Sequence, residues 1–241
     1  MKLDGLVEGR LIKRYKRFLA DIELTDGSVL TAHCPNTGSM TRCAQPNSRV
    51  WLLHSDNPKR KYAYTWELVE VDDQYLCCVN THRANALVAE ALEHKVITEL
   101  STYDTVRREV PYHDKARIDF LLSSSDSALA DAYVEVKSLT YLLPASEQTP
   151  LGMGVFPDAV TTRGAKHLEA LMAMKAQGYR AVLLFCVPHT GIKVAGVADM
   201  VDPKYGQLLR QAQAQGVELM AYGATIGTQE IRLDSALPLQ L

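Results

Sequence analysis

Long apolar runs are absent from this 241-residue sequence. A membrane-spanning helix needs roughly 18 apolar residues in a row, and no stretch approaches that length. The first residues, MKLDGLVEGRLIKRYKRF, carry charges where a signal peptide would have its apolar centre. The sequence therefore predicts a cytoplasmic protein that does not associate with membranes.

The cysteines lack C-x-x-C spacing. The five are Cys34, Cys43, Cys77, Cys78 and Cys186. An odd number without a framework pattern indicates reduced side chains rather than disulfides, and we expect them to be small buried hydrophobic residues. A zinc site using Cys34, Cys43 and a histidine lacks the ligand spacing of known zinc families, so we do not expect one.

Strong charge of one sign is also missing, since the net charge is −2. This excludes a protein that coats polyanions through overall positive charge. Two local clusters are nevertheless basic: one contains Arg14, Tyr15, Lys16 and Arg17, and the other contains Lys59, Arg60 and Lys61, followed by Tyr62 and Tyr64. These cations could follow a nucleic-acid backbone while tyrosines stack on bases. Alternatively, the aromatic residues belong to a barrel core and the cations to a solvated rim.

Turn signals divide the first 80 residues into short strands, with an Asp-Gly turn at residues 26 and 27. We predict strands over 9–16, 18–25, 28–34, 49–54, 62–71 and 75–79. Five or six short strands in about 80 residues suit a small OB-type barrel. The expected first domain is therefore an OB-like barrel over residues 1–80.

From residue 83 onward the apolar residues take helical spacing, which predicts a second domain over residues 81–241. Its predicted elements are a first helix, strands over 105–112, 117–122 and 132–140, a loop over 143–157, a helix over 159–177 with Asp158 as N-cap, a strand over 181–187, a helix over 203–215 and a strand over 217–222. The fold class is α+β with two domains.

Two predicted strands of the second domain carry a candidate catalytic group. Asp119 and Glu135 alternate with apolar neighbours, and a symmetric hairpin about residue 127 would pair residues whose numbers sum to 254. That register places Asp119 opposite Glu135, with Cβ atoms about 5 Å apart. Two adjacent carboxylates repel unless a cation lies between them, and Mg²⁺ needs only one or two carboxylates. Lys137 would then activate water or neutralise phosphate; the alternative is a solvated cross-strand ion-pair lattice.

Further candidate residues lie on the helices and one loop. Arg163, Lys166 and His167 share one side of the helix over 159–177, where the helix dipole favours anions. Glu90 on the first helix could be a third acidic metal ligand or an exposed glutamate. Asn36 and Thr37, in the PNTGSM segment, suit either a phosphate-binding nest or a structural turn.

The combination of Asp119 with Glu135-x-Lys137 resembles the PD-(D/E)xK nuclease superfamily. Longer strings resemble the sugar fermentation stimulation protein family (SfsA): RYKRFLADIEL, HCPNTGSM, KRKY with TWEL, RIDFLL, YVEVKSLT and FPDAVTTRGAKHL. This resemblance implies an OB domain joined to a PD-(D/E)xK nuclease-like domain with a central mixed sheet. It assigns Glu90 as the first-helix acid, Asp119 as the second-strand aspartate, Glu135 and Lys137 as the ExK element, and Arg163 and His167 as the polar side of the following helix. The segment 142–154 is longer than the family pattern.

The same resemblance implies sequence-nonspecific DNA binding and regulation of sugar fermentation, notably maltose metabolism. Our first hypothesis is a DNA-binding protein with a nuclease site that uses Mg²⁺ or Mn²⁺; a homo-oligomer is compatible with it. The second is a DNA-binding regulator whose nuclease-like domain is catalytically silent. A sugar-responsive enzyme ranks last, because no sugar-binding signature or dinucleotide fingerprint is present.

Overall fold

A computed structural model describes residues 1–112, 117–147 and 149–241. The first part of the chain is all β, and every strand predicted for it is present, with ends shifted by a few residues. The strands are β1 (Leu6–Tyr15), β2 (Leu19–Leu24), β3 (Val29–His33), β4 (Arg49–His54), β5 (Tyr64–Val71) and β6 (Tyr75–Cys78).

These strands form a closed OB barrel. The sheet order is β3-β2-β1-β4-β5-β6, and a pairing between β3 and β5 closes the five-strand barrel, leaving β6 as a hairpin partner outside it. The turn from β2 to β3 has Gly27 at φ +81°, a conformation that favours glycine. Leu11, Ile22 and Trp66 are fully buried inside the barrel because alternate residues of each strand point inward.

The second part of the chain mixes helices and strands. Its elements are α1 (His82–Glu93), a 3₁₀ turn (Thr98–Leu100), β7 (Thr105–Pro111), β8 (Arg117–Ser123), β9 (Ala132–Ser138), β10 (Tyr141–Leu142), β11 (Met153–Phe156), α2 (Thr162–Ala176), β12 (Arg180–Val187), β13 (Val194–Val197), α3 (Pro203–Ala214), β14 (Glu218–Ile226), β15 (Ile231–Ala236) and β16 (Leu239–Gln240).

A mixed sheet forms the centre of this domain, in the order β15-β14-β12-β9-β8-β7. Strand β12 runs parallel to β9 and β14, whereas the outer pairings are antiparallel. One face packs against α1 through residues such as Leu87, and the other packs against α2 and α3 through Leu168 and Leu209. Strand β12 is apolar along nearly its whole length because both of its faces are buried.

Three features of the second domain differ from the sequence expectations: the start of α2, the loop over 143–157, and strand β15, which was not predicted. Helix α2 begins at Thr162, and its N-cap is Thr161, whose side chain accepts a hydrogen bond from the Gly164 N–H. Asp158 is not the N-cap, because its carboxylate accepts a hydrogen bond from the Met40 N–H of the barrel instead.

The predicted loop over 143–157, in which Gln148 lies outside the described residues, contains β11 of a second sheet, ordered β10-β11-β13-β16. Strands of two to four residues are too short to show a period of two.

The two domains contact each other directly. Strand β6 ends at Cys78 and α1 begins at His82. Cys78 N–H donates to the Pro188 carbonyl, and Thr190 N–H donates to the Leu76 carbonyl, so β6 continues hydrogen bonding into the segment after β12. Within the described ranges, no helix is both long and apolar enough to cross a membrane.

Candidate functional site

The register of the β8–β9 hairpin agrees with the sequence prediction. Phe120 pairs with Val134 and Leu121 with Tyr133, so partner numbers sum to 254. The described pairing ends before Asp119, whose Oδ2 accepts a hydrogen bond from the Val136 N–H over 2.7 Å. Asp119 and Glu135 are thereby neighbours at the end of the paired region.

Asp119 is half-buried, and both of its carboxylate oxygens are held. Asn85 Nδ2 on α1 donates to Oδ1 over 2.7 Å, and Val136 N–H holds Oδ2. Burial and the negative charge of Glu135 raise the pKa of Asp119, and these effects outweigh the two hydrogen bonds. The charged form of the Asp119 carboxylate is therefore disfavoured when no cation is bound.

Glu135 is almost completely buried, with 2% of its surface exposed. Its Oε1 accepts a hydrogen bond from Lys137 Nζ over 2.5 Å and contacts Nδ1 of His167. Burial alone would raise the pKa of Glu135, but the His167 hydrogen bond and the Lys137 charge lower it. Oε2 has no hydrogen-bond partner among the described residues. Buried carboxylate oxygens are rarely left without a partner.

This donor set fits a hard divalent cation. Mg²⁺ and Ca²⁺ prefer carboxylate oxygens, and Asp119 and Glu135 supply two carboxylates, one with an unused oxygen. Residues Asp119 and Glu135 would hold such a cation, while Lys137 lies beside them.

The sequence prediction that Glu90 is a third ligand is wrong for this arrangement. Its Oε1 pairs with the Met1 ammonium over 2.7 Å. The α1 residue that reaches Asp119 is Asn85, and five helical positions place Glu90 about 7.5 Å further along the helix and on another side. The family resemblance assigned the acid, whereas the structure uses an amide in the first turn of α1.

Two tyrosines near the site were not identified from the sequence. The hydroxyls of Tyr112 and Tyr205 are buried and have no hydrogen-bond partner in the described part of the chain. Burial raises the pKa of both, and the Glu135 charge adds to that rise. Tyr205 has the position of an ordinary core residue of α3, so the sequence carries no signal that distinguishes it.

A cleft of about 420 Å³ between the domains adjoins this site. The barrel contributes Arg17, Asn36 and Thr37, and the second domain contributes Asn85 and Lys137. The volume is in the range of ligand-binding pockets. Three residues predicted to bind nucleic acid and the predicted catalytic lysine therefore line the same cleft.

The PNTGSM loop is fixed in place by hydrogen bonds from both domains. Asp158 accepts from the Met40 N–H over 2.9 Å, and Ser39 Oγ donates to the Asp158 carbonyl. Asn36 is buried, with its side chain donating to the Val79 carbonyl and accepting from the Gly38 N–H. The predicted contact of the Asn36 side chain with nucleic acid is therefore corrected to a structural role, whereas Thr37 is exposed.

The first basic cluster separates into structural and free residues. The Arg14 guanidinium donates to the carbonyls of Arg17, Asn36 and Gly38, so the predicted nucleic-acid contact is corrected to support of the loop. Tyr15 is likewise engaged, since its hydroxyl donates to Asp21. By contrast, Lys16 and Arg17 are exposed in a turn with positive φ angles.

The remaining predicted cations lie outside the cleft. Arg60 donates to Thr65 Oγ1 over 2.7 Å, while Lys59 and Lys61 are exposed. On α2, Lys166 is exposed, and Arg163 Nε donates to His167 Nε2 over 3.3 Å. None of these residues lines the cleft. His167 instead contacts Glu135, as described above.

The class is that of two-domain proteins in which an OB barrel packs against a mixed-sheet α/β domain. A buried carboxylate–lysine site lies beside the cleft between the two domains. Two family models match this division: the SfsA N-terminal OB domain over residues 12–79 and the sugar fermentation stimulation protein RE domain over residues 82–230. The chain belongs to the sugar fermentation stimulation protein family.

Curated relatives support this assignment over nearly the whole chain. Sugar fermentation stimulation protein homologs from a Marinomonas species and from Shewanella loihica are 54% and 53% identical, each over 97% of this chain and over 87% and 97% of the relative. A solved structure, described as that of Pyrococcus furiosus SfsA in complex with Ca²⁺, matches with a TM-score of 0.87 over 100% of this chain and 98% of that chain, at 22% identity. The fold is therefore that of SfsA.

Proposed function

We propose that this protein is a cytoplasmic, sequence-nonspecific DNA-binding protein that hydrolyses phosphodiester bonds with a divalent cation. The observation that supports this most is Oε2 of Glu135, a buried carboxylate oxygen without a partner in the described residues, beside Asp119 and Lys137. A relative with the same fold is described as a complex with Ca²⁺, which takes the same kind of oxygen ligands as Mg²⁺.

Each residue of the site would have a separate role in hydrolysis. Asp119 and Glu135 would hold Mg²⁺ or Mn²⁺, which supplies charge neutralisation and water activation when bound. Lys137 lines the cleft and is positioned to neutralise charge that develops on a phosphate. Asn85 and the Val136 N–H orient Asp119, and His167 orients Glu135.

DNA would enter from the cleft side. Arg17 is exposed at the cleft, and no hydrogen bond engages its guanidinium in the described ranges, so it is available to a phosphate. The exposed cations Lys16, Lys59, Lys61 and Lys166 would extend the contact along the backbone. Backbone contacts carry no sequence information, which is why we propose nonspecific binding.

The second candidate is a DNA-binding regulator of sugar metabolism, including maltose, without turnover. One observation favours it: Lys137 and His167 both contact Glu135 Oε1, so protein groups already balance the charge of this carboxylate. The names of the relatives, sugar fermentation stimulation protein homologs, are compatible with either candidate.

Cleavage and binding should be scored together to separate the two candidates. Wild type and the Glu135→Ala/Lys137→Ala variant would be incubated with labelled single- and double-stranded DNA in Mg²⁺, Mn²⁺ or EDTA. Glu93→Ala/Lys95→Ala is the matched control, because it removes the same residue types at the same spacing from exposed positions at and just after the end of α1. Metal-dependent cleavage lost only in the first variant supports a nuclease; retardation without cleavage in every condition supports the regulator.

A further inference from the structure

Three buried side chains form a second cluster, where β6 meets the segment after β12. Cys43 follows the PNTGSM loop, Cys77 lies on β6, and His189 follows β12. One ligand atom from each side chain lies within 4.8 Å of the others, and each of the three residues is at most 1% exposed. Cys77 and His189 also form an isolated backbone bridge, which brings their side chains together.

The sulfur separation has the value that a tetrahedral metal site requires. Cys43 Sγ and Cys77 Sγ are 3.8 Å apart. Two Zn–S bonds of about 2.3 Å at a tetrahedral angle separate the sulfurs by about 3.8 Å. A disulfide would need about 2.05 Å, so the pair is not bonded.

His189 provides an independent indication of a ligand. Its Nε2 is buried without a hydrogen-bond partner in the described part of the chain. Nδ1 accepts a hydrogen bond from the Gly191 N–H, which places the ring proton of the neutral imidazole on Nε2. Burial and the nearby Arg42 charge lower the pKa of His189 to about 4, so the ring is neutral near pH 7. A neutral imidazole is the form that binds metals.

We propose that Cys43, Cys77 and His189 form a Zn²⁺ site that joins the OB barrel to the α/β domain. Two thiolates balance the charge of Zn²⁺, so the site is neutral where it is buried, whereas Cu⁺ would leave one buried negative charge. This site differs in metal preference from the pair Asp119 and Glu135. Its sulfur and imidazole ligands are soft, whereas the oxygen ligands of that pair suit hard cations.

Binding would release two protons, one from each thiol. We assign Nε2 of His189 as the ligand atom, because Nδ1 already accepts from the Gly191 N–H. The proton would then leave Nε2 and Nδ1 would become protonated, so the ring stays neutral. Nδ1 then no longer accepts from the Gly191 N–H, and we expect the turn over 189–191 to adjust. The fourth ligand would be water or the Thr140 carbonyl, which lies 3.7 Å from Cys43 Sγ.

The proposal is tested by metal binding, independently of any nuclease activity. Untagged, reduced, full-length protein would be freed of metal with EDTA, given Zn²⁺ and passed through a desalting column. We expect one Zn²⁺ per chain and an X-ray absorption spectrum with two sulfur neighbours at about 2.3 Å. Co²⁺ should give a thiolate-to-metal charge-transfer band that Zn²⁺ displaces.

Variants connect the signal to the three residues. Cys77→Ser and His189→Ala should each weaken Zn²⁺ binding at least tenfold. Cys34→Ser should bind as wild type, because Cys34 is an equally buried barrel cysteine outside the cluster. Asp119→Asn/Glu135→Gln should also keep the Co²⁺ band.

Two results on wild type would overturn the proposal even if a variant fails to fold. The first is the absence of sulfur neighbours around retained Zn²⁺, and the second is the absence of a Co²⁺ thiolate band. Equal retention of Zn²⁺ by a folded Cys77→Ser variant would also overturn it.

Discussion

The backbone N–H of Val136 donates a hydrogen bond to Asp119 Oδ2 over 2.7 Å, at the point where the β8–β9 ladder ends. Asn85 on α1 donates to the other oxygen of the same carboxylate. Asp119 is thus positioned by two elements on different parts of the domain. An asparagine at this position can still accept from the Val136 N–H through its oxygen. Its NH2 group would face the Asn85 Nδ2 donor, so the Asn85 amide must flip to restore the second hydrogen bond.

Asp119→Asn should abolish metal-dependent cleavage, with a loss of at least about 100-fold, because a neutral amide is a poor ligand for Mg²⁺. DNA affinity should stay the same or rise, since a repelling carboxylate is removed. The checks are a cleavage assay and a gel-retardation titration on the same preparation. An Asp119→Asn protein that cleaves like wild type would show that Asp119 is not a metal ligand.

Arg14 and Arg17 should behave differently although they belong to the same basic cluster. Arg14→Ala should lower the free energy of unfolding by on the order of 3 kcal/mol, because the guanidinium donates to four carbonyls of the loop and turn. Arg17→Ala should leave stability within about 0.5 kcal/mol of wild type, because the side chain is exposed.

DNA binding should depend on Arg17 although the stability of the protein does not. If Arg17 contacts one phosphate, Arg17→Ala should reduce the slope of log affinity against log salt by about 1. Chemical denaturation and binding at several salt concentrations measure the two quantities. If the salt slope of Arg17→Ala equals that of wild type, Arg17 does not contact a DNA phosphate.

Gly38→Ala should destabilise the contact between the PNTGSM loop and the second domain. A Cβ at Gly38 would lie 2.5 Å from Asp158 Oδ2, so one of the two segments must move. We expect a loss of about 1–3 kcal/mol, as for other overpacked sites. In an Asp158→Ala background the same substitution should cost much less, because the clashing carboxylate is gone. Equal costs in both backgrounds would contradict this explanation.

His33 on β3 lies close enough to Arg60, one of the cations predicted to bind nucleic acid, for the two charges to interact. If DNA runs past this pair, its affinity should increase as the pH falls through the range in which His33 titrates. Burial, together with the charges of Arg60 and His82, lowers the pKa of His33 below its usual 6.5 in the free protein. A bound phosphate would raise that pKa, so the complex would bind more protons than the free protein, and the affinity must rise with acidity by up to about tenfold per pH unit. Fluorescence anisotropy between about pH 8 and about pH 6 tests this. His33→Gln should reduce the pH dependence of DNA affinity. If the affinity of both proteins changes equally with pH, DNA does not bind near His33.

Much of the fold followed from local pattern. The six barrel strands and the β8–β9 register were predictable because strand residues alternate between inside and outside with a period of two. The strands β10, β11, β13, β15 and β16 were missed. Four of them have two to four residues, which cannot display that period. Strand β15 does display it, because Ile231 and Leu233 are buried and Arg232 is exposed, so it could have been predicted. The role of Asp158 was missed for another reason: its position suits an N-cap, but its partner, Met40, lies 118 residues away.

The sequence alone determined which residue types could carry the chemistry, because Asp119, Glu135 and Lys137 take their spacing from the strands that contain them. Only the tertiary structure decided which other groups join them. Asn85 reaches Asp119 and Glu90 does not, Arg14 holds a loop while Arg17 stays exposed, and Cys77 rather than Cys34 lies with Cys43 and His189. These pairings depend on how separate elements pack, and packing over long sequence separations leaves no local periodicity to detect.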